Sequence, residues 1–281
     1  MMECTRYETL SAFREDWEET LGREEIKANL FFACFAGEDT IEKGLWAASV
    51  VSGDGLMLSI RRGDKGMVLY HAGGELSPLC ARLVRELAKD HCWPDQFIGP
   101  AETMGELISQ INDREERRYG VTMNQRVHVL REVGPVPEVE GMFEPITRMR
   151  DCLVDYDMDF QIEVLNTVKR QEVREQVENM IKEKRLYGWI AKDKIVSIAL
   201  KTRKTPHGHF LSHVYTPPEE RGKGYATACV AALSRLLLDE GNEYCGLFTD
   251  LSNPVSNHIY QKMGYEPVCD FTLYRLEETH T

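Results

Sequence analysis

Twice along this 281-residue chain, helical segments are followed by three short strand-like runs and a further helix. In the first half, Leu10, Phe13, Trp17 and Leu21 recur at helical spacing, and a second apolar helix follows over residues 26–35. The runs LWAASVV, LMLSIRR and GMVLYHA come next, with Gly-Asp and Asp-Lys-Gly turn signals at the breaks. Ser77 then reads as a helix N-cap with Pro78 at the first helical position, and Leu79, Leu83 and Leu87 form that helix's apolar face. Another helix covers residues 101–112 and ends in the charged run NDREERR, the composition of a solvated helix end. In the second half, helical segments over residues 157–184 precede the strands LYGWIA, KIVSIALKTR and GHFLSHVY. A long helix over residues 222–240 carries the stripe Ala226, Val230, Leu233 and Leu237, with Gly241 at its C-terminal cap. A strand YCGLFTD, a short helix over residues 254–263 and a last strand PVCDFTLYRL complete the pattern. The order of elements repeats without clear residue-level identity, which points to an internal duplication.

Length agrees with two domains at about 150 residues each. A strand at about residues 125–132 is followed by the connector REVGPVPEVEG. The boundary is placed before that strand, giving domains of residues 1–124 and 125–281.

The net charge of −12 argues against a general nucleic-acid binder, whose affinity rests on Lys and Arg neutralising phosphates. No stretch approaches the ~20 apolar residues that span a bilayer. The first residues carry acids and no apolar signal core, so a cytoplasmic location is expected. The eight cysteines form no C-x-x-C, and Cys80, Cys229 and Cys245 sit among apolar residues, so they read as reduced core thiols.

The segment VYTPPEERGKGYATACV, residues 214–230, carries the chemistry. Pro217 and Pro218 remove ladder donors, so the strand ending at Tyr215 or Thr216 cannot continue pairing. Arg221, Gly222, Lys223, Gly224, Tyr225 and Ala226 then open a helix whose first N–H groups and positive dipole end suit phosphate. Alone, Gly-x-Gly after a strand is a weak signal. A dinucleotide fingerprint needs a third small residue where Thr227 stands, although Asp250 lies at a suitable distance. A phosphate-binding P-loop would need Gly-Lys-Ser/Thr, which is absent. A helix that merely begins with glycines is the plain alternative.

Together with NPVSNHIYQKMGYEPV, the patterns R-x-x-G-x-A and N-x₆-Y-x₃-G-Y resemble the GNAT superfamily of acyl-CoA-dependent N-acetyltransferases over residues 185–276. VYTPPEERGKGYA also resembles the group built as a tandem of two GNAT-like domains. The resemblance implies an α/β (α+β) fold, with each domain a mixed, mostly antiparallel sheet flanked by helices. It implies acetyl-CoA as cofactor and an amine as acceptor. Arg221 to Ala226 match the pyrophosphate loop, and Val214, Tyr215 and Thr216 match the strand end that pairs with the pantetheine arm. Asn253 matches a coenzyme A contact, with Ser256 and Asn257 adding polar contacts. Tyr260 matches the tyrosine that protonates the leaving thiolate, a role a phenol of pKa ~10 can fill.

The attacking ammonium must also lose a proton. His213, and after it His209, lie on the strand leading to the site, and histidine titrates in the useful range. A spacing of four puts both on one sheet face if the strand is regular; either is otherwise a packed or surface histidine. HGHFLSH spreads its histidines along one strand, which argues against a metal site. The first domain has Gly73 and Gly74 before its helix but lacks R-x-x-G-x-G/A, and is expected not to bind coenzyme A. Trp46, Trp93 and Trp189 are placed in core packing or along an acceptor cleft. A non-catalytic coenzyme A-binding scaffold and a dinucleotide-dependent oxidoreductase are the rival readings. No membrane partner is expected, and the chain is a monomer or homodimer.

Overall fold

A computed structural model describes residues 2–36, 45–63, 66–165 and 169–277. The elements in chain order begin with β1 (Met2–Tyr7), α1 (Leu10–Arg23), α2 (Asn29–Phe35), β2 (Trp46–Ser52), β3 (Gly55–Arg61), β4 (Met67–Ala72) and α3 (Leu76–Lys89). They continue with β5 (Gln96–Pro100), α4 (Ala101–Arg114), β6 (Tyr119–Leu130), β7 (Met142–Pro145), α5 (Asp151–Leu165), α6 (Arg170–Lys182) and β8 (Leu186–Ala191). The last are β9 (Lys194–Lys204), β10 (Gly208–Tyr215), α7 (Tyr225–Asp239), β11 (Tyr244–Asp250), α8 (Pro254–Lys262) and β12 (Glu266–Leu276). The expected repeat is therefore present, and each copy is longer by a leading strand: β1 in the first and β7 in the second.

The chain divides into two compact units that are interleaved in sequence. The first comprises Met1–Val127 with Thr249–Asn253 and Pro267–Thr281; the second comprises His128–Phe248 with Pro254–Glu266. The sequence reading places a single cut near residue 124 and gives the last strand to the second half.

In the first unit the strands run β1-β2-β3-β4-β5-β12, with the N-terminal part of β6 after β12. β1 to β4 are antiparallel neighbours, β4 and β5 are parallel, and β12 returns antiparallel to β5 with Phe271 opposite Pro100. Helices cover both faces. Leu79, Leu83 and Leu87 of α3 pack with Met104, Leu107 and Ile111 of α4 against Ala48, Val50, Met57 and Leu69. Phe13 and Leu21 of α1 and Phe31 and Phe35 of α2 cover Leu58, Ile60 and Tyr70 on the other face. Trp46 is a core residue, 4% exposed, whose indole N–H donates to Asp90.

The second unit repeats this plan with the order β7-β8-β9-β10-β11, antiparallel as far as β10 and parallel between β10 and β11. Helix α7 connects that parallel pair, as a crossover must. Val230, Leu233 and Leu237 of α7 pack with Tyr260 of α8 and with Met263, just beyond it, over Ala199, Leu211 and Leu247. Leu153 and Val154 of α5 and Val173, Val177 and Met180 of α6 cover Ile195, Ile198 and Leu200.

Several local expectations are corrected. Ser77 is not an N-cap: α3 begins at Leu76 with Glu75 as the cap residue. The Ser77 hydroxyl and carbonyl instead accept from Gln110 Nε2 at 3.1 and 3.0 Å, tying α3 to α4. Pro78 consequently sits inside the first turn, where its missing N–H is one that has no helical partner anyway. β6 starts at Tyr119, earlier than expected, and α7 starts at Tyr225, leaving Gly222 outside the helix. The Asp64-Lys65 part of the turn expected before β4 lies outside the described residues.

Candidate functional site

β10 and β11 share a parallel register only from Gly208↔Tyr244 to Phe210↔Gly246. β10 runs on to Tyr215, so its last residues have no β11 partner in register. Against β9 the same stretch is irregular, with register shifts between His209 and Leu211 and between Ser212 and Tyr215. A bulge of this kind frees backbone groups and re-aims side chains. His213 marks it with a φ of 49°, in the left-handed region. Val214 packs toward α7 and α8, while His213 stacks against Phe160 of α5, ring centroids 4.6 Å apart.

Beyond the bulge the strand end is pinned. Thr216 Oγ1 donates to Ser197 Oγ at 3.0 Å, and Ser197 Oγ donates to the Tyr215 carbonyl at 3.3 Å. The Tyr215 hydroxyl donates to Asp159 Oδ2 at 2.8 Å. Pro218–Glu220 form one 3₁₀ turn, and Arg221 Nε donates back to the Thr216 carbonyl at 2.9 Å.

Gly222 and Gly224 both adopt left-handed backbone, φ 76° and 86°, which glycine adopts without steric cost. A Cβ at Gly222 would meet nothing within 4 Å, and one at Gly224 would meet only Val139 Cγ1, at 3.0 Å. Gly224 is the cap residue of α7, and no side chain caps that helix start. The first-turn N–H groups of Tyr225 and Ala226 thus face an open approach beside the positive end of the dipole. Lys223 is exposed and paired with Glu220 at 2.7 Å.

The corresponding turn of the first unit, between β4 and α3, is filled. Gly73 and Gly74 are also left-handed, φ 59° and 60°. A Cβ on Gly73 would lie 2.3 Å from the Asp54 carbonyl oxygen, and one on Gly74 would lie 2.5 Å from the Gly55 Cα. These glycines admit the unit's own β2–β3 turn.

On α8, Tyr260 is 9% exposed, its ring edge-on to Tyr265 at 5.8 Å. Burial first, then the nearby Cys229 thiol of α7, push its phenol well above the usual range, so it stays protonated at neutral pH. Asn257 is partly buried on the same helix. Ser256 also lies on α8, with its side chain outside the described residues. Asn253 is exposed, its N–H donating to the Asp250 carbonyl at 3.1 Å, and falls within the segment grouped with the first unit.

The two strand histidines differ. His209 sits at the regular start of β10, and burial, reinforced by Lys201, lowers its pKa to about 4. The register shifts break the parity that would have put it on the same face as His213. His213 Nε2 lies 3.7 Å from Asp157 Oδ1, and its Nδ1 lies 3.0 Å from Ser212 Oγ. Burial lowers its pKa, against the opposing pull of Asp157. Asp157 is absent from every motif. The signal for it is the buried stripe of α5, Leu153, Val154, Asp157 and Gln161, where two polar residues occupy core positions. The buried thiols Cys229 and Cys245 are held protonated, both pushed up by burial to about 12. Among the described residues no three His, Cys, Asp or Glu cluster as metal ligands, and no helix is long and apolar enough to cross a membrane.

Residues 151–265 match the model of the acetyltransferase (GNAT) family. Among solved structures, the chain is similar to a GCN5-related N-acetyltransferase from Sphaerobacter thermophilus at 15% identity and TM-score 0.61, covering 97% of this chain and 95% of that one. A tandem GNAT protein from the clavulanic acid biosynthesis pathway aligns at 13% identity and TM-score 0.58, over 98% of each chain. A GNAT-family acetyltransferase from Colwellia psychrerythraea gives 11% identity and TM-score 0.58, over 98% of this chain and all of that one. The fold likeness therefore extends through both units. A search of curated proteins found no match.

Proposed function

We propose that the second unit transfers an acetyl group from acetyl-CoA to an amine by direct attack. The observation that carries this reading is the open, left-handed Gly222 at the uncapped start of α7. The residues present fit a coenzyme A diphosphate: no side chain caps the start of α7, and no side chain would have to move above Gly222. Arg221, Gly222, Lys223, Gly224, Tyr225 and Ala226 would hold the diphosphate, and Val214, Tyr215 and Thr216 would pair with the pantetheine arm. Asn253, Ser256 and Asn257 would add polar contacts. When bound, acetyl-CoA supplies an activated thioester.

The protein's own groups then have distinct tasks. A backbone N–H at the bulge donates to the thioester oxygen, where negative charge develops. Tyr260 gives the departing sulfur its proton, a task that its raised pKa leaves it ready for at neutral pH. His213, neutral near pH 7 because burial lowers its pKa, takes up the proton that the amine loses. The filled turn at Gly73 and Gly74 supports a first unit that holds no coenzyme A.

Titration calorimetry with acetyl-CoA, using NADH as the control, tests the donor. Micromolar binding of acetyl-CoA alone is expected, followed by thiol release in the presence of amines. Binding of neither, or of NADH instead, would sink the proposal.

A further inference from the structure

Asp157 is a carboxylate inside the second unit, with its side chain 3% exposed. Burying such a group is costly unless each oxygen is engaged. Oδ2 accepts from Gln161 Nε2 at 2.7 Å, and Oδ1 faces His213 Nε2 at 3.7 Å. Gln161 Nε2 also donates to Gln176 Oε1 at 2.8 Å, which fixes the Gln161 amide with its N–H groups toward Asp157. Helix α5 thus presents one carboxyl group to one nitrogen of His213; burial raises its pKa, and His213 and the Gln161 hydrogen bond pull it back down.

The other nitrogen has its own partner. Neighbouring side chains on a regular strand point to opposite faces. The left-handed backbone at His213 breaks that alternation and brings Nδ1 to 3.0 Å from Ser212 Oγ. A non-glycine residue held there is strained, and such strain collects at functional sites. Phe160 covers one face of the ring.

We propose that Ser212, His213 and Asp157 form the proton-accepting chain of this enzyme. Asp157 is the positioning residue: it keeps His213 protonated at Nε2 and bare at Nδ1, since the partner of one imidazole nitrogen sets the state of the other. The proposal rests on the acyl-transfer reading above. As the amine nitrogen bonds to the acetyl carbon and the carbon–sulfur bond breaks, an amine hydrogen passes to Ser212 Oγ. The Ser212 hydroxyl hydrogen passes to His213 Nδ1. The imidazolium so formed faces the Asp157 carboxylate, and the sulfur takes its proton from Tyr260. His213 afterwards returns a proton to solvent and Tyr260 regains one.

The ionisable groups acting on His213 are Asp157 from α5 and Arg185, which precedes β8. Asp157 raises its pKa, while burial and Arg185 lower it. Asp159, on the same helix, is held by the Tyr215 hydroxyl. Asp157→Asn removes the only one of these influences that favours the imidazolium, so the His213 titration should move to lower pH.

The test is long-range nitrogen–proton NMR of the imidazoles of the whole chain, with the His213 signal assigned by its loss in His213→Gln. The expected result is the Nε2–H tautomer in the unsubstituted protein at pH 7–8, with the tautomer preference lost and the titration shifted down in Asp157→Asn. An Nδ1–H tautomer in the unsubstituted protein would overturn the proposal even if Asp157→Asn does not fold. This readout needs neither donor nor acceptor, so it fails separately from acetyl-CoA binding. With an amine substrate, Ser212→Ala and Asp157→Asn should each lower kcat ten- to a hundredfold at unchanged acetyl-CoA affinity. Asp157→Glu should return the acid limb of kcat/KM toward its original pH. Unchanged kcat in the first two variants would reduce the chain to a structural contact.

Discussion

The Tyr260 hydroxyl belongs to a side chain that is otherwise a core residue, packed with Cys229, Met263 and Tyr265. Tyr260→Phe keeps that packing and removes only the hydroxyl that the proposal makes the acid. It should lower kcat by about 10²–10⁴-fold, the usual range for a general acid, with acetyl-CoA affinity and thermal stability nearly unchanged. Thiol-release kinetics beside calorimetry check this, and undiminished turnover removes Tyr260 from the mechanism. His209 gives a prediction of a different kind. Its pKa is about 4 in the folded protein, against an ordinary histidine value of 6.5. Between those values the unfolded chain binds the extra proton, so stability falls as pH drops from 6.5 towards 4 and is not lost further below that. Thermal denaturation across this window should show a shallower acid-side decline for His209→Gln than for the parent. A parallel decline would mean that His209 is not a source of the acid sensitivity. What the sequence shows at this scale is uneven. Gly222, Gly224 and Tyr260 are marked by spacing. Asp157 and Ser212 are not, because their significance depends on a bulge that places side chains against the alternation of the strand.

At the scale of elements, the same strand–glycine–helix unit occurs twice in different surroundings. Beside Gly222 there is clear space, and beside Gly74 there is the Gly55 backbone. Gly222→Ala should cost the ~1–2 kcal/mol of left-handed backbone and no more. Gly74→Ala should cost more, because a contact of 2.5 Å forces the β2–β3 turn to move. Denaturant titration of the two variants separates them, and equal losses would mean that the first turn is not closed by its own backbone. Gly222→Glu should weaken acetyl-CoA at least tenfold while the fold survives, since the new carboxylate would face the diphosphate. Most of the secondary structure was legible because buried strands and helices carry strong periodicity. β1 and β7 were not. Each is an edge strand with one neighbour, and β7 has the burial of a surface segment, so neither carries the apolar signal of a central strand. Ser77 differs: its hydroxyl has the chemistry of a cap but serves a helix–helix contact with Gln110.

For the molecule as a whole, the decisive strand is β12. It lies beyond the family-matching segment, yet it pairs with β5 and puts Phe271, 1% exposed, into the first unit. Phe271→Ala should cost ~3–5 kcal/mol, as for a fully buried aromatic. The loss should appear as faster amide exchange in β4 and β5 of the first unit, with β8 to β10 of the second unit less affected. Uniform loss of protection would show that the units unfold together. The pairing was not legible in sequence, since a strand's pattern states which of its faces are buried and does not name the neighbour that completes its ladder.

That pairing also has a temporal meaning. A chain leaves the ribosome from its N-terminus, and early domains usually fold as they emerge. Here the exit of residue 127 does not complete the first unit, because its sheet still lacks the strand that ends at Leu276. The first unit is therefore begun before the second and finished after it, and β5 must wait through translation of residues 128–266 with an unpaired edge.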